Sequence, residues 1–253
     1  MNKTKGAYTL NLANPWKRFA AWLLDFILLA TLAVGIMWLL SIAFNFTAEN
    51  AKLYSYYEQY GVYTVTDGVG VFCETDAAYS NECAAKWTNF GNDASAVAQY
   101  QKIVTLTFIM LTLGVFIATT IIYLVFPLIF KNGQTIGKKV MGVALLSKDE
   151  IQVSTFQVVT RYLLGNFTVM LMLPIMLVLV AIYFNWGLIL TIPGIAIELG
   201  NLVAIMATKN KQNIPDLIAR TIPVDISSQI IAKTPEELSM YKYQDVSVDE
   251  LIK

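Results

Sequence analysis

The sequence predicts an all-α polytopic membrane protein with four transmembrane helices, a long extracytoplasmic loop and a small cytoplasmic β-hairpin element. Of the 253 residues, 56% are hydrophobic and only 14% are charged, a composition typical of membrane proteins. Several apolar segments reach the roughly 20 residues that one helical crossing of a bilayer needs. Lysine and arginine are also distributed unevenly between the connections, which indicates a defined orientation.

The apolar stretch from 163 to 206 is too long for a single crossing, and the sequence "YFNWG" at 183–187 offers a break within it. The chain therefore divides into a cytoplasmic tail at 1–17, a first span at 18–44, an extracytoplasmic loop at 45–102, a second span at 103–130, a cytoplasmic hairpin and amphipathic helix at 131–162, a third span at 163–183, a fourth span at 187–208 and a cytoplasmic tail at 209–253.

The orientation follows from the positive charges near the ends of the spans. Residues 45–100 contain only Lys52 and Lys86 against seven acidic residues, whereas both tails and the 131–162 connection are rich in lysine and arginine. Because positively charged connections stay on the cytoplasmic side, both termini are expected to be cytoplasmic. An even number of spans agrees with that arrangement.

The predicted outer loop is rich in tyrosine and contains both cysteines of the chain. The stretch "AENAKLYSYYEQYG" indicates a short helix that ends at Gly61. Cys73 and Cys83 would lie on the oxidising side of the membrane, which favours a disulfide over the alternative of two free thiols. Tyrosine provides large contact area at low entropy cost, so this loop is a candidate surface for a protein partner.

The cytoplasmic connection predicts a small β-hairpin, because "VMGVALL" and "IQVS" flank the polar stretch "SKDE". Ser154 with Gln157 forms a capping-box signature, from which a helix would begin at Thr155. After the fourth span, "NIPDLIARTIPVDI" indicates one short helical turn and then an extended piece that can add a third strand to the hairpin. Pro235 marks the start of a further helix in the tail.

The residue inventory argues against several classes of protein. The formal net charge is zero and the chain has no histidine, so it lacks the usual metal ligand and the usual base of a nucleophilic enzyme. Two cysteines alone cannot build a tetrahedral zinc site. We therefore expect no enzyme activity, no metal, no cofactor and no nucleic-acid partner.

Two acidic residues inside predicted spans require an explanation. Asp25 lies in the first span and Glu198 in the fourth, at similar estimated depths, with Asn201 on the same helical face as Glu198. A carboxylate at such a position costs several kcal/mol unless it finds a partner, roughly 3 kcal/mol on insertion scales. The pair can be a site for a cation or proton. Alternatively, each acid only hydrogen-bonds between helices.

Three stretches of the chain, "RFAAWLLD", "GQTIGKKVMG" and "PDLIARTIPV", resemble the RDD family of bacterial integral membrane proteins. The arginine and the two aspartates for which that family is named match Arg18, Asp25 and Asp216. The chain departs from the family pattern at Pro215, where members often have histidine, and at Arg220 within the following residues. The resemblance implies the bacterial cytoplasmic membrane and a largely unknown activity. Some relatives are linked to cation/proton antiport and others to accessory roles in membrane complexes.

We expect the resembling residues to form a structural clamp at the cytoplasmic edge, in which Arg18 contacts Asp216. The residues assigned to this clamp are Arg18, Gly133, Gln134, Thr135, Gly137, Lys138 and Asp216. Lys138 is expected to face anionic lipid headgroups. Two functions stay open. One is a cation/proton transporter that uses Asp25 and Glu198, for which a homo-oligomer is expected. The other is a non-transporting scaffold or accessory subunit that binds protein partners through the 45–100 loop or the C-terminal tail.

Overall fold

The structure, a computed structural model, describes residues 10–66, 68–73, 80–167, 199–201, 203–227 and 230–250. The chain folds into two compact units, one formed by residues 1–33 with 115–253 and one formed by residues 34–114. We name the first the motif unit, because it contains the three stretches quoted above. We name the second the disulfide unit, because it contains both cysteines.

Two long apolar helices dominate the described residues. Helix α1 is Pro15–Ala43, and a second helix, α4, is Ala94–Thr120 and continues through a π-helical turn, Ile121–Val125, into α5, Phe126–Phe130. Among the described residues, these two are long and apolar enough to cross a membrane by length and composition. Large apolar side chains project outward along α1, where Ile27, Val34, Trp38 and Ile42 are each more than half exposed. This is the kind of surface that lipid covers.

The first predicted span agrees with α1, which begins three residues before residue 18 and ends one residue before residue 44. The second helix begins at Ala94, well before the predicted start at 103. Most of the predicted spans at 163–183 and 187–208 lies outside the described residues. Within them, the described pieces are residues 163–167, 199–201 and 203–208. The count of four spans and the orientation therefore stay predictions.

The disulfide unit is a small folded element with a core of its own. It contains α2, Phe46–Gln59, a two-stranded antiparallel hairpin of β1, Tyr63–Thr66, and β2, Val69–Phe72, and then α3, Ser80–Asn92. The predicted helix is present, and Gly61 follows it with a φ of 67°, which favours glycine. The buried core residues are Leu53, Tyr57, Val62, Phe90, Ala96 and Ile103.

A disulfide and an ion pair hold this unit together. The predicted disulfide between Cys73 and Cys83 is present, with a Cα–Cα distance of 5.7 Å. Glu49 of α2 binds α4, because its carboxylate lies 2.7 Å from Lys102 Nζ and its carbonyl accepts a hydrogen bond of 2.8 Å from Gln99 Nε2. Hydrogen bonds from Lys102, Lys52 and Gln99 lower the pKa of Glu49 to about 2.

The sheet of the motif unit differs from the predicted hairpin. Strand β3, Val143–Ser147, pairs antiparallel with β4, Thr221–Asp225, which is the piece expected only as a third strand. The stretch "IQVS" contributes only isolated bridges, such as Gln152 with Leu146. The reason is local, because Ser154 already begins the cap of the next helix and leaves too few residues for a strand.

Strand β3 is buried along its whole length and therefore needs apolar cover on both faces. Ala144 and Leu146 pack with Ile222 and Val224 on one face. Leu145 packs with Val153 and Val158 on the other. The N-terminal segment extends the sheet beside β4, since the Ala13 amide donates to the Pro223 carbonyl at 3.1 Å. The sheet thus joins the beginning, the middle and the end of the chain.

The motif unit also contains several further helices. They are α6, Ile136–Val140, α7, Thr155–Arg161, which a π-helical turn at Tyr162–Phe167 continues, α8, Ile214–Ile218, and α9, Pro235–Glu250. The predicted capping box of Ser154 and Gln157 is confirmed. The predicted helical turn after the fourth span is α8, and the predicted helix at Pro235 is α9.

Replacing both Cys73 and Cys83 by serine is expected to lower the free energy of unfolding of the disulfide unit by about 3 kcal/mol, since the bridge closes a short loop and restricts the unfolded chain. Intact mass spectrometry of the wild-type chain should show a gain of two hydrogen atoms on reduction. An unchanged mass would contradict the bridge, and an unchanged thermal midpoint in the serine variant would contradict its contribution to stability.

Candidate functional site

The carboxylate of Asp25 is the buried centre of the first contact between motifs. Asp25 lies in α1 and is only 1% exposed. The Thr135 hydroxyl donates to its Oδ2 at 2.5 Å, and the Gly137 amide donates to its Oδ1 at 2.8 Å. Each carboxylate oxygen therefore has a donor from a turn more than 100 residues away in sequence. The charge that an apolar span tolerates poorly is stabilised by these donors.

Asp25 also completes the cap of a helix. Thr135 is the N-cap of α6, and its hydroxyl accepts from the Lys138 amide at 3.3 Å. The Gly137 amide belongs to the first turn of α6 and has no partner inside that helix. A carboxylate near the N-terminus of a helix satisfies such an amide and interacts favourably with the helix dipole. The contact therefore stabilises both the acid and the helix.

Glycine is required at 137 by close packing. A Cβ built at Gly137 would collide with the carbonyl oxygen of Ala21 and would lie 2.9 Å from both Cγ and Oδ1 of Asp25. Ala21 itself is 1% exposed, so α1 has no room to yield at this point. The small residues at 21 and 137 let the backbones of α1 and α6 approach closely enough for the Asp25 contact.

The two residues before this contact shape the turn. Gly133 has a φ of 61°, and a Cβ there would lie 2.8 Å from Leu145 Cδ1. The buried Gln134 side chain donates from Nε2 to the Val143 carbonyl at 2.8 Å. These contacts attach the turn to β3. Every residue of "GQTIG" that was assigned to the clamp therefore has a defined packing or hydrogen-bonding partner.

Asp216 is the second buried carboxylate, and it has no exposed surface. Its Oδ1 lies 2.6 Å from Arg161 Nε, and its Oδ2 lies 3.6 Å from Arg18 Nη2. Thr221 donates a hydrogen bond to Oδ1 at 3.2 Å, and the Asn213 amide approaches Oδ2 at 3.4 Å as part of a capping box at the start of α8. Asp216 thus connects α1, α7, α8 and β4.

The structure brings Arg18 and Asp216 together, as the clamp hypothesis requires, but it assigns the closer ion pair to Arg161. This role was not predicted, because in the sequence Arg161 is only one of several positive charges before the third predicted span. The capping box at Ser154 was the available signal. It places Arg161 at the end of α7, two turns from a helix start that packs on the sheet. Arg18 also donates from Nη1 to the Lys211 carbonyl.

A small cavity lies beside these two carboxylate sites. Its volume is about 20 Å³, enough for one water molecule. Apolar residues of α5, β3 and α7 form part of its wall. The polar side chains that line it are Tyr123, Thr135, Lys138, Arg161 and Tyr162. The cavity therefore gives one water a polar environment in contact with both basic residues.

Lys138 differs from the expectation that it faces lipid headgroups. Its side chain is half-buried and lines the cavity. In the part of the chain that the structure describes, its ammonium has no ion pair. Burial, followed by the charge of Arg161, lowers the pKa of Lys138 to about 7, although Asp216 and Asp25 oppose the shift. The neighbouring Lys139 lies outside the cavity, with its ammonium 3.9 Å from the centre of the Phe130 ring.

Five ionisable side chains therefore meet in the motif unit, and we name them the charge cluster: Arg18, Asp25, Lys138, Arg161 and Asp216. With all five ionised, three positive charges face two negative charges. Each carboxylate has at least two hydrogen-bond donors or cations as partners, whereas the ammonium of Lys138 has no ion-pair partner among the described residues. Lys138 therefore carries the positive charge of the cluster that is not paired with a carboxylate.

The structure does not test the predicted joint site of Asp25 and Glu198, because Glu198 lies outside the described residues. Asn201, which was expected to support Glu198, accepts a hydrogen bond at Oδ1 from the Ile214 amide at 3.3 Å. Its carbonyl oxygen thus binds the start of α8. The role of Glu198 and Asn201 in ion binding stays a prediction.

Replacing Gly137 by alanine is expected to destabilise the protein by about 3 kcal/mol, because the new Cβ must separate α6 from α1 and weaken both bonds to the buried carboxylate. Unfolding in mixed micelles, followed by helical content, measures the change. Gly35→Ala in α1 is the matched control, since nothing lies within 4 Å of a Cβ at that position. Equal stability of the two alanine variants would contradict the packing described here.

Double-mutant cycles on Asp216 should give a larger coupling energy with Arg161 than with Arg18, because the first pair is 2.6 Å apart and the second 3.6 Å. Truncating Arg161 alone is expected to cost about 3 kcal/mol, since it leaves a buried charge without its closest partner. The exposed pair Lys86 and Glu82 is the control and should couple by about 0.5 kcal/mol. The reverse order of the two buried couplings would contradict this arrangement.

Comparison with known proteins agrees with the motifs around the charge cluster. The model of the RDD family matches residues 12–220, a range that contains the whole of α1, the turn before α6, the capping box of α7 and Asp216. No curated protein and no solved structure gives a significant match to the chain. The matched range covers well over half of the sequence and includes every member of the charge cluster. The chain therefore belongs to the RDD family, a family of membrane proteins.

Proposed function

We propose that this protein moves a cation across the membrane in exchange for protons, and that the charge cluster is the part that responds to protonation. The observation that supports this proposal is the meeting of five ionisable side chains, two of which, Lys138 and Arg161, line a cavity large enough for one water. Ionisable groups are expensive within membrane helices and commonly mark ion or proton pathways. A purely structural contact does not need a cavity of this kind.

Asp25 is the proposed link between protonation and movement. Its carboxylate is the contact through which α1 binds the turn at Thr135 and Gly137. Protonation would remove the negative charge that strengthens both hydrogen bonds, and the contact would weaken. A hard cation, which prefers oxygen ligands, would instead compete with the proton for the ionised carboxylate and would also contact the Thr135 hydroxyl. Cation binding and proton binding would exclude each other at one site, as exchange requires.

Glu198 is proposed as a second carboxylate of the pathway, on the basis of its position in the sequence alone. Its expected depth in the fourth predicted span is similar to that of Asp25, and the chain has no histidine that could carry protons instead. A thin bundle of four helices favours a homo-oligomer, in which two copies enclose the pathway. Anionic lipid headgroups are expected to contact the exposed Lys139 rather than Lys138.

Flux measured in proteoliposomes tests the proposal. Purified full-length protein is expected to dissipate an imposed pH gradient when Na⁺, K⁺ or Li⁺ is added on the opposite side. Asp25→Asn should abolish this flux, because it removes the titrating charge while keeping a polar side chain. Asp149→Asn is the control, since Asp149 is an exposed acid outside the charge cluster and its loss should leave the flux unchanged.

Two outcomes would contradict transport. Wild-type protein that is folded and inserted, yet dissipates no gradient with any of the three cations, would remove it. Flux of the Asp25→Asn variant at the wild-type rate would remove Asp25 from the pathway. Retained folding of each variant is checked by the melting temperature in detergent, because Asp25→Asn is also expected to cost about 2 kcal/mol through a lost hydrogen bond.

A non-transporting scaffold or accessory subunit is the second candidate, and the disulfide unit favours it. This unit has its own core and bridge, yet its hairpin exposes Val65, Val69 and Val71. Exposed apolar strand residues are typical of a surface that another protein covers. Under this alternative, Asp25→Asn would leave partner binding intact, while polar substitutions of the three valines would abolish it.

A further inference from the structure

We infer that Lys138 is a second group of the charge cluster, beside Asp25, that takes up and releases a proton, through the water-sized cavity that its side chain lines. This inference rests on the proposed function for its role in flux, whereas the binding of the proton can be measured without any flux. It adds a lysine, in the most specific of the three motifs, to Asp25 and Glu198, the two acids that the sequence favours as titrating groups.

The first argument is that the other charged groups already have partners. Asp25 accepts hydrogen bonds from a hydroxyl and an amide, and Asp216 lies against two guanidinium groups. Among the described residues, Lys138 forms no ion pair, although its side chain is half-buried. A proton therefore enters or leaves most easily at the amine of Lys138.

The second argument is the charge that surrounds this amine. The groups facing it are Arg18 and Asp25 from α1, Tyr123 and Tyr162 from the two π-helical turns, Arg161 from α7 and Asp216 from α8. Arg161 disfavours a second positive charge nearby, the two aspartates oppose this effect, and Arg18 makes the smallest contribution. On its own helix, Lys139 lies over Phe130, away from the cavity. Burial is the larger cause and acts in the same direction as Arg161. Together, burial and Arg161 lower the pKa of Lys138 to about 7.

The third argument is access. The cavity has room for one water in contact with both the lysine and Thr135, whose hydroxyl donates to Asp25. A hydronium ion that reaches this cavity gives its proton to the lone pair of the amine, so that one N–H bond forms and a neutral water remains. Release reverses the step. The ammonium then adds a positive charge near Asp25, which favours the ionised carboxylate and thus couples the two groups.

A titration by nuclear magnetic resonance tests the inference directly. Full-length protein with isotope-labelled lysine side chains in lipid nanodiscs is expected to show one lysine signal that titrates near pH 7. That signal should be missing in Lys138→Met and present in Lys139→Met, the matched control. Lysines in water titrate near pH 10.4. Titration of every lysine near that value, or persistence of the shifted signal in Lys138→Met, would overturn the inference.

Flux tests the role of the same proton in exchange. Lys138→Met should lose the change in rate that the wild type shows between about pH 6 and pH 8, the range around the lowered pKa. Lys138→Arg, which keeps the charge at every pH, should remain at the low-pH rate and provides a second test if the methionine variant does not fold. A wild-type pH profile in both variants would overturn the role of Lys138. Absence of flux from the wild type would contradict the proposed function, and the titration would still decide whether Lys138 binds the proton.

Discussion

The need to satisfy one buried carboxylate organises the motif unit. Asp25 lies in an apolar helix where water is scarce, so its hydrogen-bond donors must come from the chain itself. The turn before α6 supplies them from Thr135 and Gly137. This requirement fixes a hydroxyl at position 135, the absence of a side chain at position 137 and a small residue at Ala21 of α1. Such a contact tolerates few substitutions.

The remainder of the charge cluster follows from that contact. The contact between Gly137 and Asp25 holds the short helix α6 against α1. Lys138 follows Gly137 in α6, and its side chain lines the cavity beside Arg161. The β3–β4 pairing then brings Asp216 to the same region, where it joins the two arginines. The cluster therefore combines residues that are far apart in sequence. Burial, together with the charge of Arg161, gives Lys138 its distinct chemistry.

Local signals in the sequence predicted the parts of the fold that depend on neighbouring residues. Hydrophobic length predicted α1, and the Ser154 capping box predicted α7. The disulfide followed from the compartment expected for two nearby cysteines. Only an antiparallel bridge between Leu146 and Gln152 is present of the predicted hairpin, because the helix cap at Ser154 leaves "IQVS" too short for a strand. Strand β3 is covered on both faces and pairs with a distant apolar strand, which local turn residues cannot reveal.

The candidate site was predictable in its members but only partly in its geometry. The resemblance identified Arg18, Asp25 and Asp216 and the turn residues, and the structure brings them into two adjacent networks. The role of Arg161 was missed because a basic residue before a span is also typical of orientation signals. The direction of the Lys138 side chain was wrong because a helix as short as α6 has no periodicity from which a buried face can be read.

The most direct test of this account is the contact between Asp25 and Gly137 in a lipid bilayer. Solid-state magnetic resonance can measure the dipolar coupling between the labelled amide nitrogen of Gly137 and the labelled carboxyl carbon of Asp25. The account expects a strong coupling, because the amide nitrogen lies 2.8 Å from Oδ1. It also expects the coupling to disappear in Gly137→Ala. No detectable coupling in the wild-type protein would contradict the contact on which the charge cluster and the proposed function depend.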